Sequence, residues 1–268
     1  MGLLASHSNS TLAVDEKAPP PSYTVSQNEA APQIQQQTQL KPALPTNRTP
    51  SPQPQAPPQS TTIRFPPQFG IYHASGSMTD LVIAQSKDDP HPLYYISTHS
   101  GFSSQPSVIL HSSPHPGSPP LANADFHSFS STIDMSLFVA IPPGSNPQMA
   151  PMERSGAFSY VRQFRAPIPS TSSVEIFEWK RSSGPEVQAL EGRSHGKKCA
   201  RVSTGEVVAV FTHPDMSYSK KGKFAFMGSG VGLGEGFEVM AVMAILAIME
   251  KERRAKNSSN GAAGGGGC

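Results

Sequence analysis

One short segment constrains the fold of this chain more than any other, an apolar run close to the C-terminus. From Phe237 to Met249 only Glu238 is polar, and the run is rich in the helix formers Ala, Leu and Met. As a helix it rises only about 20 Å, which is too short for the ~30 Å hydrocarbon core of a bilayer. Lys and Arg follow within residues 251–254, where they suit a helix C-terminus. A helix that is apolar on every face must be enclosed by protein, so the rest of the chain must supply a shell.

The region before this helix has the pattern of many short strands. From Thr61 onward, apolar or alternating runs are separated by Pro, Gly and Ser clusters. Thr204-Gly205 predicts a tight hairpin, and the glycine run at 228–236 predicts a flexible crossing into the helix. The Pro- and Ser-rich stretches at 111–123 and 141–156 are predicted to be long surface loops. We predict strands, with no helix between them, at 63–69, 78–85, 93–98, 107–111, 125–138 (long enough for two), 158–165, 174–181, 197–203, 206–213 and 218–226.

A closed barrel is the economical shell for such a helix, because closure also removes exposed sheet edges. We therefore predict a mainly β fold, a closed antiparallel β-barrel of about twelve strands around a buried C-terminal apolar helix. Residues 1–60 hold 11 of the 28 prolines and one aromatic residue, Tyr23. That composition predicts a disordered Pro- and Gln-rich tail. The predicted domains are this tail, the barrel over residues 61–256 and a flexible Gly-rich tail over residues 257–268.

Four motifs in the second half of the chain together resemble a known family. They are Phe177-Glu178-Trp179-Lys180, Cys199-Ala200-Arg201 leading through Gly205 to Val207–Val210, Lys221-Gly222-Lys223, and the helix ending in Glu250–Arg254. In order and spacing they resemble the second half of the domain in the fungal branch of the tubby C-terminal-like superfamily, which also includes LURP-one-related proteins and phospholipid scramblases. The resemblance covers about residues 63 to 255 and implies a barrel of about twelve strands around a C-terminal helix. It also implies lipid binding, although the chain lacks the C-terminal signature of true tubby proteins.

Positive charge is concentrated in the second half of the chain. Residues 150–256 hold 16 Lys or Arg and 11 Asp or Glu, whereas residues 1–149 hold 5 and 8. Basic residues at strand ends and turns can converge on one rim of a barrel and attract anionic lipid headgroups. The alternative is a set of solvated side chains that only keeps the domain soluble. The candidate lipid-binding residues are Lys180, Arg181, Lys197, Lys198, Arg201, Lys220, Lys221 and Lys223.

Two motifs in the N-terminal tail suggest further attachments. Gly2 begins an N-myristoylation pattern, for which the alternative is an unmodified N-terminus. Pro20, Pro21 and Tyr23 form a Pro-Pro-x-Tyr motif of the kind that WW domains bind, and the predicted partner class is the WW-containing ubiquitin ligases. The alternative for this motif is a chance match in Pro-rich sequence.

Residue patterns for catalysis, metals and nucleotides are missing from the sequence. There is no Ser nucleophile elbow and no carboxylate pair at catalytic spacing, and the glycine run fails the dinucleotide-binding template. Cys199 is predicted to be a packed thiol, and the histidines lack metal-ligand spacing. We therefore predict a non-enzymatic protein with no catalytic residues, cofactor, metal site or nucleic-acid partner. Because the N-terminus does not match a secretory signal, we expect a cytoplasmic protein.

Two functions fit these observations. The first is a peripheral membrane or phosphoinositide-binding barrel with an interaction tail. The second is a soluble scaffold or adaptor that recruits a WW-domain ubiquitin ligase through its Pro-Pro-x-Tyr motif.

Overall fold

The computed structural model of the protein describes residues 64–101, 103–128, 130–139, 146–156, 160–191, 195–213 and 220–263. Some sequence predictions concern residues outside these ranges. They are the predictions for Gly2, Pro20, Pro21, Tyr23 and the tail at 1–60. Statements below refer to the described part of the chain.

Thirteen strands and two α-helices make up the fold within this part. The strands are β1 (Gln68–His73), β2 (Leu81–Ala84), β3 (Tyr94–Thr98), β4 (Val108–His111), β5 (Pro120–Phe126), β6 (Ile133–Leu137), β7 (Gln148–Met149), β8 (Glu153–Arg154), β9 (Arg162–Ile168), β10 (Ser173–Ser182), β11 (Gly196–Arg201), β12 (Val207–Thr212) and β13 (Lys220–Phe226). The helices are α1 (Pro185–Glu191) and α2 (Glu235–Ala263).

All thirteen strands belong to one antiparallel sheet, which confirms the prediction of a mainly β fold. The strand order is β7-β6-β5-β4-β3-β2-β1-β13-β12-β11-β10-β9-β8. Except for β7 and β8, strands that follow each other in sequence pair with each other, and the long-range pair β1–β13 joins the two halves of the sheet. The named ladders leave β7 and β8 at the two ends of this order. In addition, Ile133 of β6 exchanges two backbone hydrogen bonds with Met152, at 3.0 and 2.8 Å.

Helix α2 confirms the predicted buried apolar helix. Every residue from Phe237 to Ala247 is at most 2% exposed, and the helix contacts β4, β5, β6 and β9. It begins at Glu235 and continues to Ala263, well beyond the helix C-terminus predicted at residues 251–254. The apolar pattern stops at residue 249, but Lys, Glu, Arg and Ala continue to favour a helix. Residues 257–263, which we predicted to be part of a flexible tail, are therefore helical.

Aromatic side chains fill the space between α2 and the sheet. Trp179 of β10 is 1% exposed, and its ring lies 6.0 Å from that of Phe224. Cys199, paired with Trp179 across β10 and β11, is a free thiol that is fully buried. Its burial raises the pKa of the thiol well above the usual value, which fits the predicted packing role.

The turn predictions were partly right. Gly205 has a φ of +74°, and its N–H donates to the carbonyl of Arg201, which closes the predicted β11–β12 hairpin. Gly234, with a φ of +101°, lies in the predicted crossing into α2. However, β5 begins at Pro120, inside a stretch predicted to be a loop, because proline is tolerated at the first position of a strand. Strands β7 and β8 likewise occupy the second predicted loop.

The prediction that no helix interrupts the strands was wrong. Helix α1 lies between β10 and β11, and its Leu190 joins Val210 and Ala225 in a small cluster separate from the main core. Seven residues are too few for a helical hydrophobic period to be visible in sequence. The cluster places α1 on the face of the sheet opposite α2.

Candidate functional site

One end of the sheet, next to the last turns of α2, gathers basic side chains. The antiparallel register brings the ends of β1, β10 and β12 beside the starts of β11 and β13, so Arg181 lies opposite Lys197. Arg253 and Lys256 of α2 line cavities at the same end. We call the set Arg181, Lys197, Lys221, Arg253 and Lys256 the basic end.

A β-bulge places Lys221 in this set. In the β1–β13 ladder, Ile71 lies opposite Gly222 and Tyr72 lies opposite Lys220, so Lys221 is an extra residue on β13. A bulge of this kind locally re-aims a side chain and is common next to functional sites. The Lys221 side chain lines the cavity beside α2.

The first of two neighbouring cavities, which we call the end cavity, has a volume of about 270 Å³. Part of its wall is apolar and comes from strands β2, β3 and β4 and from α2. The rest is polar and includes three Lys or Arg side chains. The apolar lining is Met78, Leu81, Ile96, Val108, Leu246 and Met249, and the polar lining is His73, Thr79, Thr98, His213, Lys221, Glu250, Glu252, Arg253 and Lys256.

The second cavity, which we call the polar cavity, has a volume of about 400 Å³. Its lining contains Arg181, Lys197 and His195, with serines at the end of β10. His213, Glu252 and Lys256 line both cavities, so the two share a wall. The arrangement puts a cationic compartment directly beside one that is partly apolar.

The two glutamates at this end already have cationic partners. Glu250 accepts hydrogen bonds from Arg253 at 2.6 and 2.7 Å and from Arg254 at 2.7 Å. Glu252 pairs with Lys197 at 2.8 Å. Five Lys or Arg and two Glu therefore line the cavities, and in the described residues no ion pair engages Lys221. The basic end carries an excess of positive charge.

The excess of positive charge, together with burial, disfavours the protonated forms of Lys221 and His213. Burial, followed by repulsion from Arg253, lowers the pKa of Lys221, and Glu250 only partly opposes the shift. Burial and the charge of Lys197 lower the pKa of His213, against the attraction of Glu252. An anion bound here would relieve the repulsion that contributes to both shifts.

Two buried polar atoms of the end cavity lack hydrogen-bond partners among the described residues. They are Nδ1 of His73 and Oγ1 of Thr98. The pKa of His73 is lowered by burial and by Lys221. Buried polar atoms in proteins nearly always have partners, so the exceptions mark places where a ligand or water is expected.

Five of the eight predicted lipid-binding residues lie outside both cavities. Lys180 and Lys198 pair in register and form ion pairs with Glu178 at 2.6 Å and with Glu186 of α1 at 3.1 Å. They belong to the face of the sheet that carries α1.

The other three outlying residues are Arg201, Lys220 and Lys223. Arg201 lies at the far end of β11, where its guanidinium is 3.2 Å from Glu175. Lys220 and Lys223 lie on β13 without lining either cavity. Only Arg181, Lys197 and Lys221 of the predicted set therefore come together. Sequence reasoning missed Lys256, the histidines at the ends of β1 and β12, and Arg253, which it assigned only to the helix C-terminus.

Another cavity, of about 320 Å³, lies at the opposite end of α2 and is lined in part by Arg64 and Glu238. Its charged groups are already engaged. Glu238 accepts the backbone N–H groups of Arg64 and Phe65 at 2.8 and 3.1 Å, and the Arg64 side chain pairs with Glu235. This end is therefore a weaker candidate for a ligand site.

Within the described ranges, no group of three or more His, Cys, Asp or Glu side chains is placed to hold a metal ion. None of the helices described is both long and apolar enough to cross a membrane. No protein-family model, curated protein or solved structure matches the chain. The geometry of the basic end is thus the strongest guide to function.

Proposed function

We propose that the protein is a non-enzymatic peripheral membrane protein that binds anionic phospholipid headgroups, phosphoinositides included, at the basic end. The observation that carries this proposal is the convergence of five Lys and Arg side chains around two adjoining cavities at one end of the sheet. Near an anionic membrane, each such charge contributes roughly 1 kcal/mol to binding. An anionic headgroup would form ion pairs with the cations that lack them and hydrogen bonds with the nearby polar atoms that lack partners.

A closed barrel is part of the same proposal. Residues 148–154 contact both edges of the sheet, with β7 on β6 and β8 on β9. The hydrogen bonds between Ile133 and Met152 lie between these two short ladders. This segment would close the sheet around α2. A C-terminal helix buried against an antiparallel sheet also supports membership in the tubby C-terminal-like superfamily. That resemblance is the source of the expectation of lipid binding.

Vesicle co-sedimentation tests the lipid proposal. We expect full-length protein to bind phosphatidylcholine vesicles that contain phosphatidylserine or a phosphoinositide, and not phosphatidylcholine alone, with affinity falling as salt rises. Arg181→Gln/Lys221→Gln should weaken binding about tenfold or more, because it removes two charges from the cavities.

The matched control is Lys180→Gln/Lys198→Gln, which removes the same charge from the same half of the sheet but from outside the cavities. Equal losses from the two double variants would contradict a specific site at the basic end. Binding of soluble inositol phosphate or inorganic phosphate by protein that does not bind vesicles would assign the site to a free anion and reject a membrane surface.

The adaptor hypothesis rests on the sequence motif alone and requires a different experiment. Deleting residues 1–60 should leave vesicle binding intact if the barrel carries it. Loss of a WW-domain partner upon Tyr23→Ala would support an additional role of the tail.

A further inference from the structure

We propose that the basic end binds a single-chain anionic amphiphile, with its alkyl chain in the end cavity and its charged head in the polar cavity. This inference rests on the proposed function and deepens it, since a headgroup site alone needs no apolar compartment.

The end cavity has the lining that an alkyl chain requires. Ile96, Val108 and Leu246 are at most 2% exposed, and Met249 of α2 completes the apolar wall. Met78, at 93% exposure, is a flexible apolar side chain at the same cavity. Burial of apolar surface would drive a hydrocarbon chain into this space.

The volume limits the ligand to one chain. A methylene group is similar in size to a water molecule, whose share of liquid volume is about 30 Å³. A cavity of about 270 Å³ therefore has room for roughly eight to ten carbons. Two acyl chains of a diacyl lipid do not fit, so the ligand is a monoacyl lipid or a fatty acid whose chain end extends past the cavity or folds within it.

The polar groups suit the head of the same molecule. His213, Glu252 and Lys256 form the wall between the cavities, and Lys197 and Arg181 lie on its polar side. The unpartnered atoms of His73 and Thr98 can bond to the oxygens that join a head to its chain. Both halves of an anionic amphiphile are thus matched by neighbouring side chains.

A chain-length series tests this directly. Hexyl, octyl, decyl, dodecyl and tetradecyl phosphate are titrated into full-length protein by calorimetry, below their micelle concentrations. We expect the dissociation constant to fall about fourfold for each added methylene up to about eight to ten carbons and then to level off. Affinity that is independent of chain length, or that keeps rising without a plateau as in adsorption to a surface, would overturn the inference.

A cavity-filling variant locates the chain. Met249→Trp should weaken decyl phosphate binding at least tenfold. Met149→Trp is the matched control, because Met149 is 62% exposed and lines neither cavity. Equal effects of the two variants would refute the placement, and the wild-type series decides the question if Met249→Trp does not fold.

The outcomes separate the two proposals. Binding of anionic vesicles without any chain-length dependence would reject the alkyl-chain site and leave the proposed function standing. No binding of the wild-type protein to either vesicles or alkyl phosphates would reject both.

Discussion

The two ends of helix α2 differ in how their charged groups are satisfied. At the N-terminal end, the buried carboxylate of Glu238 accepts the N–H groups of Arg64 and Phe65, and Arg64 also pairs with Glu235. A carboxylate in the first turn of a helix is also stabilised by the helix dipole. This end is complete without a ligand.

At the C-terminal end of α2, by contrast, some charged and polar groups lack ion-pair or hydrogen-bond partners in the described part of the chain. Its glutamates are paired, but Lys221 has no ion-pair partner in the described residues, and Nδ1 of His73 and Oγ1 of Thr98 are buried without hydrogen bonds. One helix thus has one end whose charged groups are paired and another end near which some polar groups lack partners among the described residues. The comparison teaches that basic residues indicate an anion-binding site only where nearby groups lack ion-pair or hydrogen-bond partners within the protein.

The largest effect is expected in the middle of the helix, between the two ends. Ile245→Asp places an unpaired carboxylate in a fully buried position, which costs several kcal/mol and approaches the whole stability of a typical domain. We expect the variant to lose the cooperative urea transition reported by the fluorescence of Trp179, the only tryptophan. Ala255→Asp, exposed on the same helix, should unfold like the wild type. A folded Ile245→Asp variant would contradict the buried position of α2.

A smaller effect should follow from breaking the N-terminal end alone. Glu238→Leu leaves the N–H groups of Arg64 and Phe65 without their acceptor, so we expect the free energy of unfolding to fall by about 3 kcal/mol. Glu235→Gln should cost less than about 1 kcal/mol, because it removes only a partly exposed ion pair. Vesicle binding by folded Glu238→Leu should be unchanged. Loss of binding in that variant would mean that the two ends are not separate in function.

The fold was predictable where local sequence determines it. The apolar run of α2 and the hairpin at Gly205 follow from side-chain character and from a turn that needs a positive φ. The pairing of β1 with β13 was not predictable, because it joins segments about 150 residues apart and strand patterns do not specify partners. Helix α1 was missed because its seven residues show no clear period.

The site was only partly predictable for a reason of geometry. Neighbouring residues of a strand point to opposite faces, so Lys197 lines a cavity beside α2 while Lys198 pairs with Glu186 of α1. The same alternation separates Lys180 from Arg181. Applied to the sequence, it would have divided the basic pairs between two faces. The bulge that turns Lys221 into the end cavity has no such signal.

The smallest expected effects concern pH, and they sharpen the contrast between the ends. The pKa values of His73 and His213 are lowered from 6.5, so the folded state binds fewer protons than the unfolded state as the pH falls below that value. Their contribution to stability is therefore complete above pH 6.5 and is lost as the pH falls through the folded-state pKa values. Urea unfolding at a series of pH values should show this loss.

Vesicle binding should change in the opposite direction. Protonation of the two histidines adds positive charge beside Lys197 and Lys221, so affinity for anionic vesicles should rise as the pH falls below 6.5. His73→Gln/His213→Gln should flatten both pH dependences. Unchanged slopes in that variant would show that these histidines do not face the bound anion.

Hydrogen–deuterium exchange with and without anionic vesicles tests most directly which end of α2 binds. We predict slower exchange at residues 195–198, at 211–213 and in the helix around Arg253 and Lys256, with no change at residues 64–67 or at the start of α2. Protection at the start of α2, or equal protection at both ends, would contradict the assignment of the binding site to the basic end.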